Sequence, residues 1–346
     1  MRTEPDLDQT KLLDCLRDRY RLEVDRLRFV PYGLDSWSYV AECRDGSRAF
    51  IKLARRAPAA RSTWSEIPLL AALVAREVPV PRPIPDRDGG YLNEVDGYEV
   101  QVLEYLEGRN LEPEAAWPDA LYGRLAETVA TVHASTAAVR PLVERVERYD
   151  LPFLPGLAAT LTLIEGDRRL PSGDDETFAR LRELVLPRAR DLRAAMTRLE
   201  VLRHLARACH SDEVLCHTDI WGSNLILSDD GTLHLLDWNG ALIGPPEADL
   251  FMFAGTTFFP ADRFGWFLDR YEAAFRRVPL HPEILGFYFY RRNLDDLADF
   301  LRSIIEGRVE AMEPAPMLDI IAGLLAETPL LEGLIEQVAD LLAARP

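Results

Sequence analysis

Short, mainly apolar runs separated by polar turns recur in the N-terminal third of the chain, a pattern typical of β-strands. These runs lie at residues 27–30, 36–43, 48–54, 90–93 and 98–104. Helical spacing of apolar residues precedes them at 8–25 and separates the third run from the fourth at 62–75, where Pro68 predicts a kink. The pattern therefore predicts a leading helix and a five-stranded antiparallel sheet that carries one helix.

The pattern changes after residue 105 to mainly helical spacing, which continues to the C-terminus. A short hairpin over 224–237, turning at Asp229-Asp230-Gly231, interrupts the helices. This organisation predicts an α+β fold with two lobes. The predicted parts are a small N-terminal lobe at 1–104, a hinge at 105–108, and a larger helical lobe at 109–346 with an insert at about 140–210.

The composition excludes several classes of protein. The chain has 346 residues and is 48% apolar, which suffices for about two globular domains. Acidic residues stand near the N-terminus, where a signal peptide needs an apolar run, and the longest uncharged stretch, 151–164, is too short to span a membrane. The four cysteines form no CxxC pair, and neither they nor His210 and His234 show metal-ligand spacing. We expect a soluble cytoplasmic protein without a structural metal.

The charge of the chain favours cationic small molecules as ligands. A formal net charge of −17 repels polyanions, so neither nucleic acid nor an acidic membrane surface is an expected partner. Acidity of this kind also serves solubility alone in many proteins. Oligomeric state does not follow from composition, and both a monomer and a homodimer remain open.

Lysine is rare in this chain, which makes one lysine informative. Of the 40 basic residues, all are arginine except Lys11 and Lys52. Lys11 lies in a polar amphipathic stretch, whereas Lys52 lies in the apolar run 49–54, where an unpaired charge is costly. A compact ammonium is therefore required at Lys52 for a reason other than solubility.

The densest group of polar side chains lies around the short hairpin. Asn224 precedes its first strand and Asp237 follows its second, so antiparallel pairing brings the two together. A carboxylate and an amide oxygen side by side can hold Mg²⁺. Asp219, on the loop before, is then close enough to accept a hydroxyl proton. Lys52, oriented by Glu66, completes the set of groups that phosphoryl transfer needs.

The same residues resemble a known family. His217-Thr218-Asp219, Asn224, Asp237-Trp238 and the run 244–250 resemble motifs of the aminoglycoside phosphotransferase and choline kinase superfamily. The resemblance covers about residues 25–300, and it implies small-molecule kinases with a protein-kinase-like fold. The central block and the stretch 291–298 are most similar to the spectinomycin phosphotransferase branch.

The resemblance implies a role for each matched residue. Asp219 would be the catalytic base, with His217 supporting its loop, and Asn224 and Asp237 would be the Mg²⁺ ligands. The residues implied to bind ATP are Lys52 and Glu66 at the phosphates, Ser36 and Ser38 facing the phosphates from the loop 31–38, and the backbone of Glu104, Tyr105 and Leu106 at the adenine. Thr218 departs from the pattern, because many members have glycine there, and this leaves the hydrogen bonding of the loop open.

Acceptor residues are expected in the C-terminal part of the chain. Trp221 lies between the base and a metal ligand, where it either walls the acceptor site or packs in the core. Asp295, Asp296 and Asp299 share a predicted helix and are either solvated or ligands for ammonium groups. Further candidates in the insert are Asp150, Glu165 and Asp167.

These residues predict an ATP- and Mg²⁺-dependent O-phosphotransferase, with GTP as the alternative nucleotide. Its acceptor would be an amine-bearing small molecule such as an aminocyclitol or aminoglycoside antibiotic. The alternatives are a metabolic kinase for choline, homoserine, a sugar or an antibiotic-biosynthesis intermediate, and a non-catalytic nucleotide-binding module. A protein kinase is disfavoured, because no activation segment is recognisable between Asp237 and Glu247.

Overall fold

The structure is a computed structural model that describes residues 3–31, 36–55, 66–111, 117–166, 175–255, 261–307 and 312–345. The chain forms two compact units that interleave along the sequence. The first unit comprises residues 1–145 and 217–243, and the second comprises 146–216 and 244–346. These two units do not coincide with the predicted lobes at 1–104 and 109–346. The predicted hinge at 105–108 stays a prediction.

The elements follow one another in the order that the sequence patterns suggested, as helices and short strands. The helices are α1 (Gln9–Tyr20), α2 (Ile67–Val74), α3 (Asp119–Ala134), α4 (Thr136–Val139), α5 (Leu154–Glu165), α6 (Asp175–Val185), α7 (Ala189–Ala208), α8 (Glu247–Leu250), α9 (Phe264–Ala274), α10 (Pro282–Glu306), α11 (Pro314–Glu327) and α12 (Leu331–Ala344). The strands are β1 (Val24–Val30), β2 (Trp37–Cys43), β3 (Arg48–Arg55), β4 (Leu92–Val95), β5 (Tyr98–Glu104), β6 (Arg109–Asn110), β7 (Val214–Cys216), β8 (Leu225–Leu227), β9 (Leu233–Leu235) and β10 (Leu242–Gly244).

The main sheet of the first unit is five-stranded and antiparallel, in the order β1-β2-β3-β5-β4. This arrangement confirms the predicted sheet. One face packs on α1 through Leu12, Leu16 and Tyr20, and buries alternate residues of the strands, among them Ile51 and Leu53. Because side chains alternate along a strand, Lys52 projects from the opposite face. The sheet thus separates its apolar core from the face that carries the lysine.

The ends of several elements differ from the sequence prediction. Helix α1 ends at Tyr20 because Arg21 adopts a left-handed backbone with φ 61° and its N–H bonds back to the last turn. Helix α2 begins at Ile67, so Pro68 lies in its first turn, where proline is tolerated, and the predicted kink is wrong. Residues 62–65, the predicted start of this helix, lie outside the described residues.

The predicted hairpin is present in the first unit. Strands β8 and β9 pair antiparallel with Leu225 opposite Leu235, and β6 adds a third strand. Gly108, in the predicted hinge, has φ 150°, and a Cβ there would lie 2.5 Å from the Leu227 carbonyl oxygen. Only glycine permits the chain to approach the hairpin so closely.

The second unit is built mainly of helices around α10. This helix buries one side along most of its 25 residues. At Gly286 a Cβ would lie 2.6 Å from Ile335 of α12, which shows how tightly the two helices pack. None of the helices in the described part of the chain combines the length and the apolarity that a membrane span needs.

Candidate active site

The loop that carries Asp219 is fixed by His217, whose side chain is fully buried. The Asp219 backbone N–H donates to His217 Nδ1 at 3.3 Å, and His217 Nε2 donates to the Leu236 carbonyl at 2.7 Å. In this arrangement Nδ1 accepts and Nε2 donates, so the ring bridges two backbone groups. His217 therefore ties the backbone of Asp219 to the residue that precedes Asp237, as the predicted supporting role requires.

Asn224 holds the Asp219 carboxylate directly. Its Nδ2 donates to Asp219 Oδ2 at 2.8 Å and to the Asp219 carbonyl at 3.0 Å. The turn from Trp221 to Asn224 makes this contact possible, because the Asn224 N–H donates to the Trp221 carbonyl at 2.9 Å. Trp221 itself is half-buried, and its role at the acceptor stays a prediction.

Asn224 and Asp237 are brought together at the open end of the hairpin, as expected. The Leu236 N–H donates to the Asn224 carbonyl at 2.8 Å, one residue before Asp237. Because Asn224 Nδ2 faces the Asp219 carboxylate, Asn224 Oδ1 points away from that carboxylate. An amide oxygen and the exposed carboxylate of Asp237 are hard oxygen donors that suit Mg²⁺, so the residues fit this ion.

Two residues of this region adopt left-handed backbone conformations that are rare outside glycine. Thr218 has φ 74° and Asp237 has φ 59°. The Thr218 hydroxyl donates to the Gly240 carbonyl at 3.2 Å, and a Cβ on Gly240 would lie 2.6 Å from that hydroxyl. Thr218 is thus accommodated by a hydrogen bond to the turn after Asp237. Strain of this kind is common at functional sites.

Lys52 shares its face of the main sheet with polar residues. Ser38 is opposite Lys52 on β2, and Gln101 is opposite it on β5, so the three side chains project from one face. Burial raises the pKa of Glu66; the charge of Lys52 opposes this shift and that of Asp237 adds to it. The structure therefore brings Glu66 within electrostatic range of both Lys52 and Asp237. Glu66 immediately precedes α2 rather than lying within it.

Gln101 is a buried polar residue beside Lys52 that sequence reasoning missed. It is 1% exposed, and neither its Nε2 nor its Oε1 has a hydrogen-bond partner in the described part of the chain. A buried amide without partners costs about 1–3 kcal/mol, so such groups need a reason. The available signal was a glutamine inside the apolar run Val100-Gln101-Val102-Leu103.

The predicted adenine-binding segment has backbone groups to offer. The Glu104 N–H already donates to the Arg82 carbonyl at 2.9 Å. Tyr105 and Leu106 make no backbone hydrogen bond within the described residues, and the Tyr105 ring lies 4.2 Å from the Arg48 guanidinium. Ser36 is half-buried just before β2, whereas residues 32–35 of the predicted phosphate loop lie outside the described residues.

The predicted acceptor residues of the second unit differ in their partners. On α10, Asp296 accepts from Arg292 at 2.7 Å, and Asp299 is paired with Arg302. Asp295 accepts no hydrogen bond from any described residue; burial raises its pKa, and Asp299 adds to the rise. Of the insert candidates, Asp150 pairs with Arg207 and Glu165 with Arg193, while Asp167 lies outside the described residues.

Comparison with known proteins decides the family. Residues 27–287 match the phosphotransferase enzyme family. The chain belongs to this family. Protein StrN of Streptomyces griseus is 27% identical over 288 residues, which cover 80% of this chain and 79% of StrN.

Solved structures share the fold of this phosphotransferase. A spectinomycin phosphotransferase in complex with ADP and spectinomycin has a TM-score of 0.77 at 15% identity, covering 95% of this chain and 99% of that one. Choline kinase LicA from Streptococcus pneumoniae has a TM-score of 0.57 at 16% identity, covering 92% and 99%. The predicted superfamily and the α+β, protein-kinase-like fold are confirmed, and family membership confirms a small-molecule phosphotransferase. The roles of individual site residues stay predictions.

Proposed function

We propose that this phosphotransferase moves the γ-phosphoryl group of ATP to a hydroxyl of an amine-bearing small molecule, with Asp219 as the base. The observation that carries the proposal is the connected set Asp219, Asn224 and Asp237. One amide holds the base, and the same residue offers an oxygen beside Asp237. The ADP bound to a spectinomycin phosphotransferase of the same fold supports ATP as the donor.

Asp219 would accept the proton of the acceptor hydroxyl. The acceptor oxygen forms a bond to the γ-phosphorus, the bond from that phosphorus to the β–γ bridging oxygen breaks, and ADP leaves with the bond's electron pair. The hydroxyl proton passes to the Asp219 carboxylate. Asn224 and His217 contribute by holding this carboxylate and its backbone in place, so that little reorganisation is needed when the proton moves.

The groups facing the phosphates would neutralise and position the donor. Mg²⁺ held by Asn224 and Asp237 would offset the charge of the triphosphate during transfer. Lys52 would bind the α- and β-phosphates, and the nearby Glu66 would orient its ammonium group. The backbone of Tyr105 and Leu106 would bind adenine, and Ser36 and Ser38 would face the phosphates.

An aminocyclitol or aminoglycoside fits the charge of the protein best among the expected acceptors. The net charge of −17 attracts polycations, and Asp295 offers a half-buried carboxylate that no described arginine neutralises through a hydrogen bond. Spectinomycin, bound to a phosphotransferase of the same fold, is an aminocyclitol of this kind. We also propose that the enzyme acts in the cytoplasm, where ATP is available.

The experiment is ADP release with Mg²⁺ and ATP, measured with spectinomycin first and then aminoglycosides, choline, homoserine and sugars. We expect release that depends on an aminocyclitol or aminoglycoside, and mass spectrometry should show one added phosphate on that acceptor. Release with choline, homoserine or a sugar instead would support kinase activity but contradict the proposed aminocyclitol or aminoglycoside acceptor. ATP binding without release across the panel would contradict the proposed catalytic function and favour a nucleotide-binding module.

A further inference from the structure

A second group of metal-ligating side chains lies in the second unit, whereas Asp219, Asn224 and Asp237 belong to the first. The thiol of Cys209, the imidazole of His281 and the carboxylate of Glu283 each offer one ligand atom, and these atoms all lie within 4.8 Å of one another. Cys209, His281 and Glu283 are all half-buried. In a tetrahedral zinc site with bond lengths of about 2.0–2.3 Å, two ligand atoms lie about 3.4–3.6 Å apart. Small side-chain rotations would bring the ligand atoms of Cys209, His281 and Glu283 to that separation.

The elements that carry the group explain its compactness. Cys209 is the C-cap of α7, whereas His281 is the N-cap of α10 and Glu283 lies in the first turn of that helix. The buried carboxylate of Glu247 joins the two segments. It accepts the His281 backbone N–H at 2.8 Å and the hydroxyl of Ser211, two residues after Cys209, at 3.3 Å. Glu247 therefore links the segment that follows Cys209 to the start of α10 without using any of the ligand atoms.

The His281 imidazole has the orientation that a metal ligand requires. Its Nε2 donates to the His210 carbonyl at 3.1 Å, which leaves Nδ1 available as the ligand atom. Metal-binding histidines commonly donate their other ring N–H to a backbone carbonyl in this way. Among the described residues, no hydrogen-bond partner occupies the Cys209 thiol, His281 Nδ1 or the Glu283 carboxylate.

We propose that Cys209, His281 and Glu283 form a binding site for Zn²⁺ that joins the end of α7 to the start of α10. A thiolate, an imidazole and a carboxylate are ligands that zinc accepts together, and water would complete four-coordination. The sequence predicted no structural metal because the ligands come from two distant segments. The site is independent of phosphoryl transfer, so its failure and that of the proposed function are separable.

The test is titration of the metal-free full chain with Co²⁺, followed in the near-ultraviolet, where cobalt–thiolate charge transfer absorbs. We expect a saturable band that Zn²⁺ abolishes by competition. Cobalt bound by oxygen ligands alone, as at Asn224 and Asp237, has no such band. Cys209→Ser should remove the band, whereas Cys15→Ser, a matched change at another half-buried thiol, should leave it unchanged. No band in the wild-type chain, or a band that survives in Cys209→Ser, would overturn the proposal.

A second readout does not depend on any variant folding. Zn²⁺ should slow alkylation of the Cys209 thiol by iodoacetamide while leaving Cys15 unaffected, as measured by peptide mass spectrometry. Equal rates for Cys209 with and without Zn²⁺ would contradict the site. Glu283→Gln keeps both the thiol and the imidazole, and we expect it to weaken Co²⁺ affinity about tenfold or more, because a charged ligand is lost.

Discussion

Asp219 in the first compact unit and two acidic residues of α10 in the second have different kinds of partner. In the first unit, Asp219 is held by the neutral amide of Asn224 and by the backbone that His217 fixes. In the second unit, Asp296 and Asp299 on α10 are paired with arginines of the same helix. A carboxylate held by neutral donors keeps its charge for a proton or a cation, whereas one paired with arginine is largely neutralised. The partner, more than the residue type, therefore indicates which carboxylates are available for chemistry.

The largest expected effect comes from removing the carboxylate that the account assigns to Mg²⁺. Asp237→Ala should weaken Mg²⁺-dependent nucleotide binding by about 10²-fold or more, since a charged ligand of the metal is lost. Isothermal titration with an ATP analogue, with and without Mg²⁺, measures this. Asp229→Ala is the matched control, because Asp229 lies exposed at the turn of the same hairpin. Equal Mg²⁺-dependent nucleotide binding by Asp237→Ala and Asp229→Ala would show that Asp237 does not bind the metal.

Replacing the neutral partner of Asp219 with a charged one tests the comparison itself. In Asn224→Asp, two carboxylates would face each other where an amide now donates to Asp219, and their repulsion should displace the Asp219 carboxylate. We expect kcat to fall about tenfold or more, because the base is no longer held in position. Asn239→Asp, at an exposed position nearby, should leave kcat unchanged, and steady-state kinetics measures both variants. An unchanged kcat in Asn224→Asp would contradict the assigned contact.

The acidic residues of α10 give a smaller contrast. Asp295→Asn should raise KM for a cationic acceptor about tenfold, the effect of losing one charged hydrogen bond. Asp299→Asn should change KM little, because Arg302 already neutralises that carboxylate. Steady-state kinetics with the acceptor identified from the panel distinguishes them. Equal effects of the two substitutions would mean that the helix acts only through its overall charge.

The smallest expected effect is at Gln101. Gln101→Leu removes two buried polar atoms without partners and should raise the free energy of unfolding by about 1–2 kcal/mol. The same variant should bind nucleotide more weakly, because the amide shares its sheet face with Lys52. Denaturant unfolding and nucleotide titration measure the two changes. Gln337→Leu, at an exposed position on α12, should alter neither, and unchanged nucleotide binding in Gln101→Leu would make that residue purely structural.

Local patterns predicted the parts of the site that lie on regular elements. The strand pattern placed Lys52 on the third strand of the sheet, and hairpin spacing placed Asn224 beside Asp237. Both follow from the period of a strand and from antiparallel pairing, which need no knowledge of distant residues. The five-stranded sheet was predicted for the same reason.

Contacts that depend on tertiary packing could not be predicted in this way. The left-handed backbone of Thr218 depends on its contact with Gly240, and the group at Cys209 depends on how two helix ends meet. Each joins segments whose separation in sequence carries no periodic signal.

The central claim is that Asp219 accepts the hydroxyl proton. The measurement that tests it most directly is transfer of the γ-phosphoryl group to the identified acceptor in a single turnover, at saturating Mg²⁺ and ATP, by the wild-type chain and by Asp219→Ala. We expect a rate lower by about 10²-fold or more in the variant, with nucleotide affinity nearly unchanged. A variant that transfers at the wild-type rate would show that Asp219 is not the base.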